Sequence, residues 1–193
     1  MTAGGASGMA AEASAGRGVD DPTPSAEAVE VAPCLERLGI LRLGRWRLGV
    51  AGRHCSGLLE TSSPTPLPRS PAQVLGVSLL RGKIVPIFDL GLALDVGRDG
   101  GAVESPPIGL VVAAGGMTCV LAVDEIVAFE DVDLQQMRDI DTQLPIRLGR
   151  FGRGLLQHLG HDVVVLEIPA LLEALRHRST SGAGDGFAEA PTT

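Results

Sequence analysis

The sequence predicts an all-β protein of about nine short strands followed by one C-terminal helix. Short runs rich in Val, Leu and Ile follow one another along the chain, and glycine or proline separates them. Glycine (26 residues) and proline (13) are frequent, whereas aromatic residues make up only 3% of the chain. This composition favours strands joined by tight turns around a core of aliphatic side chains. No amphipathic crossover helix lies between the runs, which argues against a parallel α/β fold.

The first predicted strands are residues 38–43 and 46–50, which a Gly-Arg turn signal at 44–45 separates. Apolar residues alternate with polar or small ones in both runs, as expected for a hairpin with one buried face. Residues 54–60 form a weaker strand candidate. Four prolines within residues 61–71 then predict an extended loop.

Residues 79–90, which read LLRGKIVPIFDL, give the most informative turn and strand signal in the chain. Together with residues 74–80 they predict a hairpin in which Gly82 permits a tight backbone reversal after Arg81. Pro86 lacks the N–H group of a ladder hydrogen bond, so its strand is expected at a sheet edge or at a bulge. An edge strand beside an exposed arginine is a surface that another protein can bind.

The C-terminal half continues the pattern of short strands and turns. Two more hairpins are predicted, from strands at residues 108–113, 117–123, 154–159 and 162–168. The acidic stretch 130–133 is expected to be an exposed loop, and residues 134–138 a single helical turn. Residues 169–176 are the best predicted helix, because proline stands at the first position and leucines recur on one side.

The formal net charge of −7 is unevenly distributed. Residues 1–33 carry five carboxylates against one arginine, whereas the body of the chain at 34–177 is nearly neutral. Such a chain lacks the concentration of basic residues that is typical of proteins that bind nucleic acid or an anionic membrane. We expect residues 1–33 and 178–193 to be disordered tails, because they have too few large apolar side chains to offset the entropy of ordering.

The cysteines and the apolar runs indicate the compartment. Three widely spaced cysteines form no disulfide framework, which fits a reducing environment. The N-terminus lacks the apolar segment of a secretory signal, and the longest uncharged apolar run, residues 108–123, is short for a membrane span. We therefore expect a cytoplasmic protein that does not insert into a membrane.

Several motifs stand in a characteristic order along the chain. The Arg-Gly turn at 81–82 is followed at 84–90 by two hydrophobic residues, proline, two hydrophobic residues, aspartate and leucine. A Val-Asp-Glu-Ile run stands at 123–126, and a Leu-Leu pair at 171–172 lies in the predicted helix. Together these motifs resemble the CheW-like domain, the adaptor fold of bacterial chemosensory arrays. The resemblance covers about residues 38–177.

The resemblance implies a fold and a function class. The fold is two small five-stranded SH3-like barrels side by side, with a short C-terminal helix, over residues 34–177. The function is that of a non-enzymatic adaptor, without metal or cofactor, which couples methyl-accepting chemoreceptors to a CheA-type histidine kinase.

The resemblance also implies five partner-binding residues. Arg81 and Gly82 match the turn that the family uses in partner contact. Gly76 and Gly115 match small residues near the groove between the barrels. Cys55 falls on the third strand, where the family often has valine.

Several positions depart from the family pattern. Leu79 stands where asparagine is usual, and Gly57 stands where a glutamate could pair across an interface. These departures leave the partner open, including one from an accessory chemosensory or motility system.

Other chemistries receive weaker support from the residues. His158, His161 and the pair His54-Cys55 are residue types that can bind zinc. However, the two histidines at 158 and 161 lie at a predicted hairpin turn and not on one helical face, and no acidic ligand is fixed near them. The three arginines within 147–153 resemble a short RNA-binding segment, yet the surrounding body is not basic. The alternative function is a small β-barrel that binds or hydrolyses a ligand. That function requires convergent polar groups, which the sequence does not show.

Overall fold

The structure is a computed structural model, and it describes residues 34–60, 64–96, 108–140 and 143–181. The predicted tails, apart from residues 178–181, lie outside the described residues. The same holds for the predicted connection at 97–107. The described residues belong to one compact unit.

Ten strands and three α-helices form within the described residues. The strands are β1 (Leu35–Leu43), β2 (Trp46–Ala51), β3 (Cys55–Glu60), β4 (Val74–Leu80), β5 (Lys83–Asp89), β6 (Ile108–Ala114), β7 (Met117–Val123), β8 (Glu125–Asp133), β9 (Gly152–His158) and β10 (His161–Leu166). The helices are α1 (Leu90–Leu94), α2 (Ile146–Phe151) and α3 (Ile168–Ser181). Short 3₁₀ turns follow β2 and β8, at Gly52–His54 and Leu134–Gln136.

The strands form two five-stranded sheets, which we call sheet A and sheet B. Sheet A has the order β8-β1-β2-β10-β9, and sheet B has the order β3-β6-β7-β5-β4. Most neighbouring strands are antiparallel, but β2 pairs with β10 and β5 with β7 in parallel. The C-terminal strands therefore complete the sheet that the N-terminal hairpin begins. This architecture confirms the predicted all-β class.

Each sheet contributes one face to a shared core and encloses a smaller core of its own. Along β7, Cys119, Leu121 and Val123 belong to the shared core, whereas Val120 and Ala122 belong to the core of sheet B. The equivalent core of sheet A combines side chains from β1, β2, β9 and β10. A sheet that buries its second face against its own strands has the arrangement of a small barrel. Burial on both faces explains why these strands are continuous apolar runs.

The position of β5 corrects the expectation based on Pro86. β5 is not the edge strand, because it lies between β7 and β4, and β4 forms the edge of sheet B. However, β5 pairs with β7 only at residues 87–89, so the half that contains Pro86 pairs with β4 alone. Because β7 does not pair with Pro86, the missing N–H group of this proline removes no hydrogen bond between β5 and β7. The register shift of this hairpin lies in β4, between Val74 and Gly76.

The acidic stretch 130–133 was expected to be a loop, but it is part of β8. That strand pairs with β1 as far as Leu35 opposite Asp133, and it forms an edge of sheet A where charged side chains remain solvated. The predicted turn at 134–138 is confirmed as a 3₁₀ turn. Helices α1 and α2 were not predicted, because five- and six-residue helices are too short to show a helical period.

The predicted C-terminal helix is confirmed as α3, but it extends to Ser181 and not only to residue 176. The segment expected as a tail from 178 onward therefore begins inside the helix. Leu171, Leu172 and Leu175 anchor α3 in the shared core, and a helix anchored in this way can continue past its last buried residue. Arg178 in the last turn complements the helix dipole. Across the described residues, no helix has both the length and the apolar character that crossing a membrane requires.

Candidate partner-binding surface

The hairpin of β4 and β5 ends in a tight two-residue turn. Arg81 has a φ of 49° and Gly82 a φ of 79°, and positive φ at both central residues is typical of a type I′ turn. Glycine adopts this conformation at little cost, whereas for Arg81 it is uncommon and is imposed by the closing pair Leu80 and Lys83. The turn therefore fixes the backbone direction from which the Arg81 side chain departs.

Two apolar side chains stand exposed beside this turn. Leu79 and Ile84 are opposite each other in the strand register, so their side chains lie on one face of the hairpin. Leu79 is 68% exposed and Ile84 is 74% exposed. The other face is anchored, because Val85 is buried and Leu80 packs against the core of sheet B. The hairpin thus projects an apolar pair into solvent from a fixed base.

A groove of about 300 Å³ lies beside the same turn. It is bordered by β3, the hairpin tip, β6 and β7, through Ser56, Gly57, Leu58, Leu80, Arg81, Lys83, Val85, Val111 and Thr118. Leu58 is 53% exposed and is an apolar side chain on the groove side of the hairpin. Leu80, Lys83 and Val85 line the groove and project from the face opposite to that of Leu79 and Ile84, so the groove and the exposed apolar pair lie on two sides of the hairpin. We use the name hairpin-tip surface for both sides together: Leu58 and Lys83 on the groove side, Leu79 and Ile84 on the other side, and Arg81 at the tip.

The hairpin-tip surface is positively charged. Arg81 and Lys83 both line the groove, and none of its lining residues is acidic. Within the described part of the chain, neither of these two cations has an ion-pair partner. Gly57 lies in the same groove, with open space where a side chain would project. The charge of Arg81 is therefore available to an incoming group.

Gly76 lies outside the hairpin-tip surface. It is buried in β4 with a φ of 145°, and a Cβ there would lie 2.3 Å from the carbonyl oxygen of Thr65. Thr65 and Val77 exchange two backbone hydrogen bonds of 2.9 Å each. Glycine at this position allows the loop before β4 to approach the strand closely.

Gly115 and Cys55 also lie away from the hairpin tip. Gly115 is exposed in the turn between β6 and β7, and its carbonyl oxygen accepts a hydrogen bond of 2.8 Å from Nη2 of Arg176. Cys55 is half-buried on β3, where its thiol donates to the carbonyl oxygen of Ala51 at 3.6 Å. Burial raises the pKa of the Cys55 thiol to about 11. Cys55 is therefore a protonated packing residue at neutral pH.

Of the five residues that the sequence indicated, the structure thus brings only Arg81 and Gly82 to one place. The sequence reasoning did not assign Leu58, Leu79 or Ile84 to the site. A usable signal was present for two of them, because Leu79 and Ile84 are equally distant from the Arg-Gly turn and must share one face of a two-residue hairpin. No comparable signal places Leu58 beside the hairpin, since that contact depends on how sheet B is assembled.

The histidines considered for a zinc site are engaged elsewhere. Nε2 of His158 lies 2.6 Å from a carboxylate oxygen of Glu130, and Nδ1 of His54 lies 3.3 Å from the carbonyl oxygen of Ala113. Over the described ranges, no group of three His, Cys, Asp or Glu residues is arranged to hold a metal ion.

Comparison with known proteins assigns this fold to a family. A family model of the CheW-like domain matches residues 38–176, a span that includes the hairpin-tip surface and both sheets except for the first three residues of β1. The chain belongs to the CheW-like domain family.

Two individual relatives add detail to the family assignment. Protein FrzA of Myxococcus xanthus is 41% identical over 49 residues, which is 25% of this chain and 31% of FrzA. The chain thus matches about a third of the length of that relative. The crystal structure of the scaffolding protein TtCheW from Thermoanaerobacter tengcongensis superposes with a TM-score of 0.62 at 20% sequence identity. That match covers 75% of this chain and 90% of TtCheW, and it shows that the two share the CheW fold.

Proposed function

We propose that this CheW-like protein is a non-enzymatic adaptor of a bacterial chemosensory system, which couples methyl-accepting chemoreceptors to a CheA-type histidine kinase in the cytoplasm. The observation that carries the proposal is the hairpin-tip surface, an exposed apolar and cationic patch within a domain whose family match spans residues 38–176. The solved neighbour TtCheW, described as a scaffolding protein, supports the same class of function.

The apolar part of the surface supports a protein partner. Leu58, Leu79 and Ile84 are each more than half exposed, although an isolated monomer gains nothing from this exposure. Complete burial of one such side chain is worth about 1.5–3 kcal/mol. Leu79 and Ile84 together provide an apolar centre of the kind that protein interfaces typically have, and Leu58 offers a further apolar contact on the groove side.

The cationic part of the surface supports an acidic group on that partner. The guanidinium of Arg81 can hold a carboxylate through two parallel hydrogen bonds, which an ammonium group cannot do. The type I′ turn fixes the backbone at Arg81, so less conformational entropy is lost on binding than in a flexible loop. We infer that Arg81 sets the orientation of the partner and that Leu79 and Ile84 provide contact area.

Adaptor action then requires no covalent step. An adaptor that binds the kinase and a receptor together favours those arrangements of the kinase in which both contacts are made. Kinase output changes only as far as the adaptor binds one arrangement more tightly than another.

The test is a calorimetric titration of the protein with the regulatory domain of the kinase and with a receptor signalling fragment, both from the same organism. Arg81→Ala should weaken binding of the partner that contacts the hairpin tip by about 10- to 150-fold, because a charge-assisted hydrogen bond is worth about 1.5–3 kcal/mol. Arg81→Lys should recover only part of the loss. The melting temperature of both variants should equal that of the wild type.

Arg69→Ala is the matched control, because Arg69 is also an exposed arginine at positive φ, in the loop before β4. Its replacement should leave both affinities unchanged. Failure of the wild-type protein to bind either partner at tens of micromolar contradicts the adaptor function. Full affinity of the Arg81→Ala variant for both partners contradicts the site.

A further inference from the structure

The groove beside the hairpin tip lies at one open end of the core of sheet B. Alternate residues of a strand share one face of the sheet. On β5, the inward-facing position next to the core residue Val85 is Lys83, and on β7, the position next to the core residue Val120 is Thr118. Lys83 and Thr118 are nevertheless exposed, and both line the groove. The inward face of this small barrel therefore ends in polar side chains.

Two features keep this end of the barrel open. Gly57 is on the same face of β3 as Leu59, which packs against the core of sheet B, but a Cβ at Gly57 would have no atom within 4 Å. The described strands β5 and β7 pair only at residues 87–89 of β5, so no ladder joins their first halves. The floor of the groove contains Val85 and Val111, which are both buried. A cavity of about 300 Å³ with an apolar floor is thus open to solvent.

Cationic and hydroxyl-bearing side chains surround this opening. Arg81 and Lys83 line it from the hairpin tip, and Ser56 and Thr118 line it from β3 and β7. Lys83 is the only lysine among the 16 lysine and arginine residues of the chain. Over the described ranges neither cation is in an ion pair, and the groove has no acidic lining. Two positive charges and two hydroxyl groups therefore converge above an apolar floor.

We propose that this groove binds a small phosphate monoester with an apolar organic part. At neutral pH the phosphoryl group carries about 1.5 to 2 negative charges and three strong acceptor oxygens, which match two cations and two hydroxyl groups. A carboxylate has one charge and two oxygens, so it would leave one cation without a counter-charge. The organic part contacts Val85 and Val111. The mouths of β-barrels are frequent sites for small ligands, and the volume is at the lower end of the range for such sites.

Ligand binding here does not depend on the adaptor function. The site shares Arg81 and Lys83 with the hairpin-tip surface, but it also requires Ser56, Thr118 and the barrel core, and it is tested on this protein alone. A polyanion such as nucleic acid is disfavoured as the ligand, because the chain carries a net charge of −7 and repels it.

The test is a calorimetric titration of the full-length protein with phenyl phosphate at neutral pH. Phenyl phosphate should bind at least about tenfold more tightly than inorganic phosphate, because only the ester covers the apolar floor. It should also bind at least about tenfold more tightly than phenylacetate, which pairs with fewer of the polar groups. Added salt should weaken the binding, as expected where charge attraction contributes.

Variants of the lining residues locate the site. Lys83→Gln should weaken binding of phenyl phosphate about tenfold or more and Thr118→Val about 2- to 10-fold, because they remove a charge-assisted and a neutral hydrogen bond. The matched controls are Arg69→Gln and Thr65→Val, which remove an exposed cation and an exposed hydroxyl group in the loop before β4. Both controls should bind as the wild type does. All four variants should keep the wild-type melting temperature, because the replaced side chains are exposed.

The single lysine gives an independent readout. An amine-reactive reagent can modify only one side chain, that of Lys83, and phenyl phosphate should slow this reaction without slowing modification of the amino terminus. No binding of phenyl phosphate at about 10 mM overturns the proposal. Equal affinity for phenyl phosphate and phenylacetate also overturns it, as does full affinity of the Lys83→Gln and Thr118→Val variants. A protein that binds single-stranded DNA but not phenyl phosphate overturns it as well.

Discussion

Replacement of Leu79 by serine should weaken binding of the hairpin-tip partner about 5- to 30-fold. Full burial of a leucine side chain is worth about 1.5–3 kcal/mol. Because Leu79 is 68% exposed in the free protein, about two-thirds of that value, or about 1–2 kcal/mol, is still to be gained on binding. A loss of 1.4 kcal/mol corresponds to tenfold in affinity.

The fold itself should tolerate this change. Leu79 lies in the edge strand β4, and its side chain belongs to none of the three core clusters. Substitutions at such surface positions usually change the free energy of unfolding by no more than about 0.5 kcal/mol. Ile84→Ser should weaken partner binding to a similar extent. The losses of binding free energy in the two single variants should not add up in the double variant, because the two side chains are opposite each other.

Leu159 offers a closely matched control. It is 79% exposed and precedes Gly160 in a second two-residue turn, with φ values of 49° and 76° that nearly equal those of Arg81 and Gly82. Both variants are titrated calorimetrically against the kinase regulatory domain and the receptor fragment. If Leu79 contacts the partner directly, Leu79→Ser should weaken binding and Leu159→Ser, which removes an equally exposed leucine elsewhere, should not. Equal affinities for Leu79→Ser and the wild type, or an equal loss for Leu159→Ser, would refute the reasoning.

Three further predictions concern stability and thiol chemistry. Gly76→Ala should cost at least about 2 kcal/mol, because its Cβ would lie 2.3 Å from a backbone carbonyl oxygen. Gly82→Ala, with nothing within 4 Å and only its positive φ as strain, should cost about 1 kcal/mol. Thermal unfolding checks this order, and equal losses would contradict it. Burial raises the pKa of Cys55 to about 11 and of Cys119 to about 12, so a thiol reagent at pH 8 should modify exposed Cys34 first. Because the ordinary thiol pKa is 9.0, the stability from these two buried thiols should be complete below pH 9 and decline between pH 9 and 12. Denaturant unfolding at several pH values measures this decline, and a stability that rises over the interval would contradict it.

Local residue patterns were sufficient for much of the fold. The Arg-Gly turn at 81–82 and the Gly-Gly turn at 115–116 specify their hairpins through glycine conformations that few other residues adopt. The leucine stripe specifies the C-terminal helix, because the same side chains that define its period are those it buries. These elements depend on interactions between residues close in sequence, so the sequence reveals them.

The partners of each strand required the tertiary structure. β5 lies inside sheet B despite Pro86, because β7 pairs with only its last residues. β8 is a full strand despite its acidic end, because β1 provides a ladder for it. Both pairings join residues distant in sequence, and no local pattern contains them.

The sequence by itself thus determined the all-β class, the hairpin that carries Arg81 and the resemblance that led to the CheW-like family. Only the tertiary structure decided which residues outside the hairpin accompany Arg81. It brought Leu58 of β3 beside the hairpin and placed Gly76, Gly115 and Cys55 elsewhere. The reason is physical, since a turn is determined by the conformations of two neighbouring residues, whereas a binding surface depends on how all strands of a sheet assemble.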